Sequence, residues 1–278
     1  MAADDLLTIE NLSLTLGSGP AQRGLVHGVS LRLKQKRIMG LIGASGCGKS
    51  LTCLAVMRLL PDGVRQTSGE IRFRGTSLGL LPEPQMRILR GSQMAMILQN
   101  PMSCFDALFT IGQHLRETLS CHRSLKRAEA KRRMQGALAA VGFDPPNEIL
   151  DLFPFQLSGG MLQRVMVAIA LLLRAPLIIA DEATTDLDLV SQAGILDLLE
   201  RLKTVHGMSI LLITHDLGVV ARLADEVAVM DTGRIVASGP VERVFKSTGH
   251  PYTQALRKAH LNLYGPRLHR FGIGTVDH

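Results

Sequence analysis

The sequence contains no tryptophan, only two tyrosines and only four cysteines among its 278 residues. Surfaces made of stacked aromatic rings must therefore be few. The cysteines show no CxxC spacing and none follows Cys121, which argues against a zinc ribbon or a disulfide scaffold and is typical of a reducing compartment. The longest uninterrupted apolar run, 165–173, has nine residues, whereas a membrane-spanning helix needs about 20. We therefore do not expect this chain to cross a membrane by itself.

Charge and hydropathy leave several partner classes open. The formal net charge is +7 and the isoelectric point is about 9.6, which permits nucleic acid, anionic lipid or polyphosphate as a partner and selects none. The mean hydropathy is +0.19, a high value for a chain without a spanning segment. Two explanations stay open: a sheet covered by helices on both faces, or an additional apolar surface for a partner subunit.

Two apolar patterns predict two kinds of strand. In the N-terminal third, apolar and polar residues alternate through Leu7, Ile9, Leu12 and Leu14, with one slip at Asn11. Such alternation is typical of half-buried antiparallel strands. Three other segments are apolar without interruption, as in parallel strands that helices cover on both faces; they are residues 38–42, 177–180 and 210–213.

Two further segments stand out between and after these strands. Residues 102–160 are rich in helix formers and basic residues and lack a strong strand pattern, so we expect an inserted helical subdomain there. Asp231-Thr232-Gly233 separates two short apolar segments and predicts a β-hairpin.

Residues 43–50, GASGCGKS, fit the pattern G-x-x-x-x-G-K-[ST] of a phosphate-binding loop. They follow the apolar run 38–42 and precede a predicted helix over 51–60, the context that this loop requires. Glycines allow backbone angles and close approaches that a Cβ atom would prevent, so that successive N–H groups can bind phosphate oxygens. The ammonium group of Lys49 would lie between the β- and γ-phosphates, and the hydroxyl of Ser50 would bind Mg²⁺. The predicted ATP-binding residues of this loop are Gly43, Ala44, Ser45, Gly46, Cys47, Gly48, Lys49 and Ser50.

Two carboxylates follow the apolar segment 177–180. Asp181 and Glu182 would emerge at the carboxyl end of a buried parallel strand, which is where such sheets bind ligands. Asp181 would hold Mg²⁺, and Glu182 would act as general base on the attacking water. The alternative is that one of these carboxylates caps the next helix. His215 follows the third apolar strand and could bond a γ-phosphate, or it could be a structural histidine.

The stretch LSGGMLQR at 157–164 resembles the LSGGQ motif of ATP-binding cassette ATPases, with Met161 in place of the usual glutamine. The other motifs fall in the order of that family: the phosphate loop, Gln99 in LQNP, LSGGM, LIIADE, TDLD at 185–188, and His215. The resemblance implies an α/β fold, with a P-loop NTPase (RecA-like) core, an antiparallel β subdomain and the helical subdomain at about 102–160. It also implies an ATPase domain over 1–240 and a short tail over 241–278.

The same resemblance implies ATP and Mg²⁺ as cofactors and a head-to-tail pair of such domains that encloses two ATP molecules. Catalysis would rest on Glu182 and His215. Gln99 would contact both ATP and Mg²⁺, so that the predicted Mg²⁺ ligands are Ser50, Gln99 and Asp181. The residues expected to contact the nucleotide of the partner subunit are Ser158, Gly159, Gly160, Met161 and Asp188.

Within the family, the chain is most similar to ATPases of bacterial peptide and nickel importers, on segments such as HPYTQAL at 250–256 and AHLNLYG at 259–265. This implies an ATPase on the cytoplasmic face of the inner membrane that powers uptake of nickel, or of a related metal or chelate. Its partners would be a second ATPase subunit, two transmembrane permease subunits and, indirectly, a periplasmic binding protein. The alternatives are a dipeptide or oligopeptide importer and, from another class, an ATPase that acts on nucleic acid; no nucleic acid partner is expected.

Two side-chain hypotheses complete the sequence analysis. Cys47 would lie at a helix N-terminus beside Lys49, and both features predict a lowered thiol pKa and an alkylation-sensitive ATPase. Four phenylalanines could line a docking groove for a membrane partner or form the core of the helical subdomain; they are Phe105, Phe109, Phe153 and Phe155.

Overall fold

The computed structural model describes residues 4–19, 22–123, 125–185 and 187–246, which divide into two compact units. The first unit consists of the residues up to 81 together with those from 210 onward, and the second consists of residues 82–209. No helix among the described residues is both long and apolar enough to cross a bilayer.

The described residues of the first unit form two sheets and three helices. Its strands are β1 (Asp5–Leu16), β2 (Arg23–Lys34), β3 (Ile38–Gly43), β4 (Val64–Phe73), β5 (Thr76–Ser77), β8 (Ser209–Thr214), β9 (Glu226–Asp231) and β10 (Arg234–Pro240). Its helices are α1 (Lys49–Met57), α8 (Leu217–Leu223) and α9 (Val241–Lys246). The first sheet is antiparallel with the order β2-β1-β4-β5, as the alternating pattern predicts.

The slip at Asn11 is a β-bulge. Asn11 has a positive φ of 51°, and the register of β1 shifts against both of its neighbours at this point. The hydroxyl of Ser30 accepts a hydrogen bond from the Asn11 N–H at 2.9 Å, which satisfies the group that the bulge removes from the ladder. The bulge explains why buried leucines stay on one face before and after residue 11.

The second sheet of this unit has the order β10-β9-β3-β8, with β3 parallel to both β8 and β9. Strands β3 and β8 are buried along their whole length, as their continuous apolar sequences predict. Strands β9 and β10 form the predicted hairpin: Asp231 pairs with Arg234, and the two residues between them, Thr232 and Gly233, have φ of 42° and 79°. Two positive φ values are typical of the tight turn that joins twisted strands.

Helix α1 ends earlier in the chain than the sequence predicts. The pattern predicts a helix over 51–60 that Pro61 stops, but α1 ends at Met57. Arg58 takes a left-handed conformation, and the N–H of Leu59 bonds to the carbonyl of Leu54 at 2.9 Å. This capping pattern closes the last turn before the proline can act.

The second unit contains a pair of parallel strands and six helices in its described residues. They are β6 (Met94–Ile97), β7 (Leu177–Asp181), α2 (Glu83–Ser92), α3 (Ile111–His122), α4 (Arg127–Ala140), α5 (Pro146–Asp151), α6 (Gly159–Leu173) and α7 (Leu189–Thr204). Short 3₁₀ turns at Pro101–Cys104 and Pro154–Gln156 complete it. The described residues of the 102–160 stretch form helices and no strand, while the division of the chain into subdomains stays a prediction.

Helix α6 is the centre of this unit. It packs against β6 and against α3, α4 and α7, and nine of its 15 residues are buried. The longest apolar run of the sequence, 165–173, supplies seven of these buried residues. The helix is apolar on most of its circumference because it has neighbours on several sides. The core of the second unit thus positions the start of α6, where Ser158 and its two glycines lie.

Candidate functional site

The first unit brings the phosphate loop and His215 to the same edge of its parallel sheet. Ile42 pairs with Thr214 across β3 and β8, so the residues that follow these strands, the loop 44–48 and His215, leave the sheet side by side. The carboxyl edge of a parallel sheet is the usual place for a ligand. Asp216, rather than His215, caps α8: its Oδ1 accepts from the N–H of Gly218 at 2.7 Å, and His215 is exposed.

The three loop glycines are needed for different reasons. A Cβ atom on Gly43 would lie 2.2 Å from the carbonyl oxygen of Met230 and 2.7 Å from the sulfur of Cys47. Gly46 faces open space, and only its φ of 76° favours glycine. Gly48 combines both requirements, with a φ of 106° and Val26 and Met230 in the way of a side chain. The loop is therefore a close-packed backbone cradle of the kind a phosphate chain fits.

Lys49 begins α1 and is buried, with only 4% of its surface exposed. Its ammonium group donates to the carbonyl oxygens of Gly43 at 3.0 Å and Ala44 at 2.9 Å, so the loop itself holds the side chain. A buried cation that is bonded to carbonyl dipoles fits a site for a polyanion. Ser50, the next residue, is exposed at the loop end of the helix, where its hydroxyl could join the ligands of a divalent cation.

The predicted direction of the pKa shift of the Cys47 thiol is wrong, while the sensitivity of the ATPase to alkylation stays a prediction. Burial raises the pKa of Cys47 above its ordinary value, and the positive charge of Lys49 only partly opposes this; the negative charge of Asp231 adds to the increase. Cys47 is 7% exposed because its sulfur packs against Gly43. The sequence shows the lysine and the helix N-terminus but not the burial, which is a property of the fold.

The turn of the β9–β10 hairpin is hydrogen-bonded to the phosphate loop, a contact that the sequence does not reveal. The N–H of Gly233 donates to the carbonyl of Cys47 at 3.1 Å, and the N–H of His27 donates to the carbonyl of Gly233 at 2.8 Å. A Cβ atom on Gly233 would lie 2.6 Å from the carbonyl oxygen of Leu25. Gly233 therefore acts as a clamp between β2 and the loop, and its only signal in the sequence is the turn motif.

The second unit has its own parallel edge. Ile97 pairs with Ala180 across β6 and β7, so Gln99 and the pair Asp181 and Glu182 follow neighbouring strands. Asp181 is buried at the end of β7, and Gln99 is exposed. Neither Asp181 nor Glu182 caps the helix that follows, because α7 begins much later with Asp188 as its N-cap. The alternative that the sequence left open for these two carboxylates is thus excluded.

Glu182 has a strained backbone and a fixed side chain. Its φ is 48°, a left-handed conformation that costs a residue with a Cβ atom about 1–2 kcal/mol. The turn that holds it is closed by Thr185, whose N–H bonds to the Glu182 carbonyl at 3.0 Å and whose hydroxyl donates to Glu182 Oε2 at 3.3 Å. Strain that neighbouring hydrogen bonds maintain is typical of functional residues, which agrees with a catalytic carboxylate.

Ser158, Gly159, Gly160 and Met161 open α6. The hydroxyl of Ser158 accepts a hydrogen bond from the Met161 N–H at 3.3 Å, so Ser158 is the N-cap. Gly159 faces open space, whereas a Cβ atom on Gly160 would lie 2.8 Å from the hydroxyl oxygen of Ser191 in α7. The exposed start of α6 is therefore lined with backbone N–H groups and free of bulky side chains.

Asp188 is the N-cap of α7. The same helix carries Ser191, whose hydroxyl lies beside Gly160 at the start of α6. The Oδ1 of Asp188 accepts from the N–H groups of Val190 and Ser191, each at 3.0 Å. The hydrogen bond from the Ser191 side chain and those from the backbone lower the pKa of Asp188. Leu189 and Val190, directly after it, are 79% and 80% exposed. An ionised cap next to exposed apolar residues is a suitable surface for another subunit.

The four phenylalanines separate into two pairs. Phe105 is buried and packs edge-on against His114 at 5.2 Å between ring centroids, while Phe109 is 45% exposed and touches the same histidine. Phe153 and Phe155 stack at 5.6 Å, and Phe155 is 64% exposed. Phe105 thus belongs to the core of the unit, and only Phe109 and Phe155 present large apolar surfaces. The tail motifs at 250–256 and 259–265 lie outside the described residues.

Comparisons with known proteins agree with this set of motifs. The family model described as ABC transporter matches residues 26–185. The nickel import ATP-binding protein NikD of Rhodospirillum rubrum is 48% identical over 264 residues, which are 94% of this chain and 97% of that protein. The peptidoglycan transport ATP-binding protein YejF of Agrobacterium fabrum is 44% identical over 255 residues, but this match spans only 47% of YejF.

Among solved structures, a dimeric ATP-binding cassette in a post-hydrolysis state with bound ADP and Pi has a TM-score of 0.75 and 23% identity. The match covers 84% of this chain and 98% of that one. At this identity the likeness concerns the fold, and it confirms the predicted α/β fold with a P-loop NTPase core.

Proposed function

Since this chain is an ATP-binding subunit of the ABC transporter family with ATPase activity, we propose that it powers the uptake of nickel through a bacterial importer. The observation that carries nickel as the cargo is the 48% identity to NikD over nearly the whole of both chains. No group of three or more histidine, cysteine, aspartate or glutamate side chains in the described ranges could hold a metal ion. The choice of cargo would therefore rest with other subunits, and this chain would supply energy.

The nucleotide would be held by the phosphate loop. The N–H groups of residues 44–48 bind phosphate oxygens, and Lys49 exchanges its bonds to the Gly43 and Ala44 carbonyls for bonds to phosphate. Ser50, Gln99 and Asp181 are the proposed ligands of Mg²⁺, an oxygen-only set that this ion prefers. When bound, Mg²⁺ neutralises charge on the phosphate oxygens.

Hydrolysis would depend on Glu182 and His215. Glu182 accepts a proton from the attacking water, and its side chain is oriented for this by the hydroxyl of Thr185. His215 bonds the terminal phosphate from the exposed position that follows β8 and so reports its loss. A positioned base contributes about 10²–10⁴-fold to such a rate, which is the effect expected from its removal.

The start of α6 would act on the nucleotide of a second ATPase subunit. Ser158, Gly159, Gly160 and Met161 offer backbone N–H groups at an exposed helix N-terminus, although their own chain already has a phosphate loop. Asp188 would contribute from the adjacent helix cap. Each nucleotide would thus join two subunits, and its hydrolysis would let them separate. We propose that this pair is a heterodimer on the cytoplasmic face of the inner membrane, below two permease subunits that a periplasmic binding protein supplies.

The test combines nickel uptake with nucleotide chemistry in a strain that lacks this protein. The wild-type chain should restore uptake of radioactive nickel, whereas Glu182→Gln should not. In the purified protein, Glu182→Gln should still bind ATP but hydrolyse it about 10²–10⁴-fold more slowly. Glu200→Gln, which removes an exposed carboxylate on α7, is the matched control and should behave as wild type.

Two results would contradict this proposal at different levels. Normal hydrolysis by Glu182→Gln would show that another group is the base. Restoration of dipeptide uptake with no effect on nickel would support the second candidate cargo, a peptide, which the similarity to YejF favours.

A further inference from the structure

Gln163 is an amide that is buried in the interior of the second unit. It lies in the second turn of α6, is 1% exposed and is followed by the apolar run 165–173. Its Nε2 donates to the carbonyl oxygen of Leu98 at 3.3 Å. Its Oε1 is also buried and has no hydrogen-bond partner among the described residues.

An amide is a costly choice at this position. Burying a carbonyl oxygen without a donor is unfavourable, and most buried polar atoms in proteins are therefore paired. Methionine has a similar length and volume and would bring no unpaired oxygen, but it could not donate to the Leu98 carbonyl. What distinguishes glutamine from methionine here is the single N–H that reaches the Leu98 carbonyl.

The Leu98 carbonyl is the group that starts the segment containing Gln99. Strand β6 ends at Ile97, so the Leu98 carbonyl lies beyond the last residue of the ladder with β7. On the other side of Gln99, Asn100 is fixed, because its Oδ1 accepts from the Met102 N–H at 3.1 Å and its carbonyl accepts from the Ser103 hydroxyl at 2.8 Å. Gln99 is thus an exposed residue between two neighbours, Leu98 and Asn100, that are each held by hydrogen bonds.

The hydrogen bonds that hold the backbone at Leu98 and at Asn100 come from different parts of the chain. Those at Asn100 are local, formed with residues two and three positions away. The one at Leu98 comes from α6, 65 positions away in the sequence, and α6 is the helix that Ser158 begins. A displacement of the start of α6 is therefore transmitted through Gln163 to the peptide group that precedes Gln99.

We propose that Gln163 is a positioning residue that holds the Leu98–Gln99 peptide in register with α6, so that Gln99 can bind Mg²⁺ only when α6 is in place. This inference rests on the proposed function, because that function assigns Mg²⁺ to Gln99 and the partner's nucleotide to Ser158. It links the two through one hydrogen bond within the second unit.

The central variant is Gln163→Met, which keeps the volume and removes the donor. The first readout needs neither metal nor nucleotide: hydrogen–deuterium exchange of the segment 98–104 in the full-length protein. Loss of one hydrogen bond should accelerate exchange there by roughly three- to tenfold. The melting temperature should change little, because removing the unpaired Oε1 offsets the loss of the donor to the Leu98 carbonyl.

The second readout is the Mg²⁺ concentration for half-maximal ATP hydrolysis by the assembled transporter. It should rise by roughly three- to tenfold in Gln163→Met. In a chain that already carries Gln99→Ala, the same change should have no further effect on the Mg²⁺ requirement, because the group that Gln163 positions is gone. Gln135→Met, the same substitution on α4, is the control and should leave exchange of 98–104 and the Mg²⁺ requirement unchanged.

Each failure has its own signature. If Gln99→Ala raises the Mg²⁺ requirement but Gln163→Met does not, Gln99 has its proposed role and the positioning by Gln163 is wrong. An equal effect of Gln163→Met with and without Gln99 would also overturn it. If Gln99→Ala itself leaves the requirement unchanged, the assignment of Gln99 in the proposed function fails, and this inference fails with it. A lowered melting temperature with unchanged exchange would make Gln163 a packing residue.

Discussion

Gly43 provides the most direct test of the packing behind the phosphate loop. In a Gly43→Ala variant the new methyl carbon would lie 2.2 Å from the carbonyl oxygen of Met230. This is about 1 Å closer than the C···O contacts that neighbouring strands normally make. Strand β3 must therefore move away from β9, or the loop must change its path.

Neither strand can move easily. Gly43 and Met230 are register partners in the parallel ladder of β3 and β9, and Met230 also pairs with Ile235 on the other side. The sulfur of Cys47 would lie 2.7 Å from the same methyl group, so the loop cannot absorb it either. We expect a loss near the upper end of the overpacking range, about 3 kcal/mol. At about 2–4 °C per kcal/mol, the melting temperature should fall by roughly 6–12 °C.

The assay is thermal unfolding of the nucleotide-free protein, followed by titration with Mg-ATP. Gly46→Ala separates packing from backbone conformation, because its methyl group would meet open space and only the positive φ would cost about 1–2 kcal/mol. Gly136→Ala is the control: it lies inside α4 with nothing within 4 Å and should gain about 0.5–1 kcal/mol. A Gly43→Ala protein that melts with the wild type and binds ATP equally well would refute the reasoning.

Two further predictions concern a helix cap and a thiol. Ser158→Asn and Ser158→Asp should both keep the N-cap of α6 and melt alike, but only the aspartate should abolish hydrolysis, since its charge repels the partner's nucleotide; equal activity of the two would contradict that role. Because burial raises the pKa of Cys47, its thiolate is scarce at neutral pH. Mass spectrometry should therefore find exposed Cys121 alkylated by iodoacetamide well before Cys47, with Cys47 reacting faster as the pH rises. Equal rates at pH 7 would show that Cys47 is not protected.

The strands could be predicted because the burial of their faces produces a regular pattern of apolar residues in the sequence. Alternation marks β1, uninterrupted apolar runs mark β3, β7 and β8, and the slip at Asn11 coincides with the bulge. The phosphate loop, Asp181, Glu182 and Ser158 could be proposed as site residues from the sequence, since each motif is a short local segment whose residue types the chemistry requires.

Other features depend on residues far apart in the chain and leave no local pattern. The pKa of the Cys47 thiol shifts in the opposite direction from the prediction because the fold buries the thiol. Gln163 reads as one polar residue in an apolar helix, and nothing near it indicates its bond to Leu98. The end of α1 depends on the conformation of Arg58 rather than on Pro61.

The sequence by itself determined where the motifs lie and which groups we propose for phosphate, Mg²⁺ and proton transfer, because those groups follow strands and open helices in short motifs. Only the tertiary structure decided how each group is held: Lys49 by the carbonyls of its own loop, Glu182 in a strained turn, and Gln99 between two fastened peptides. The physical reason is that hydrogen bonds and burial between distant segments are set by packing, and packing has no period in the sequence.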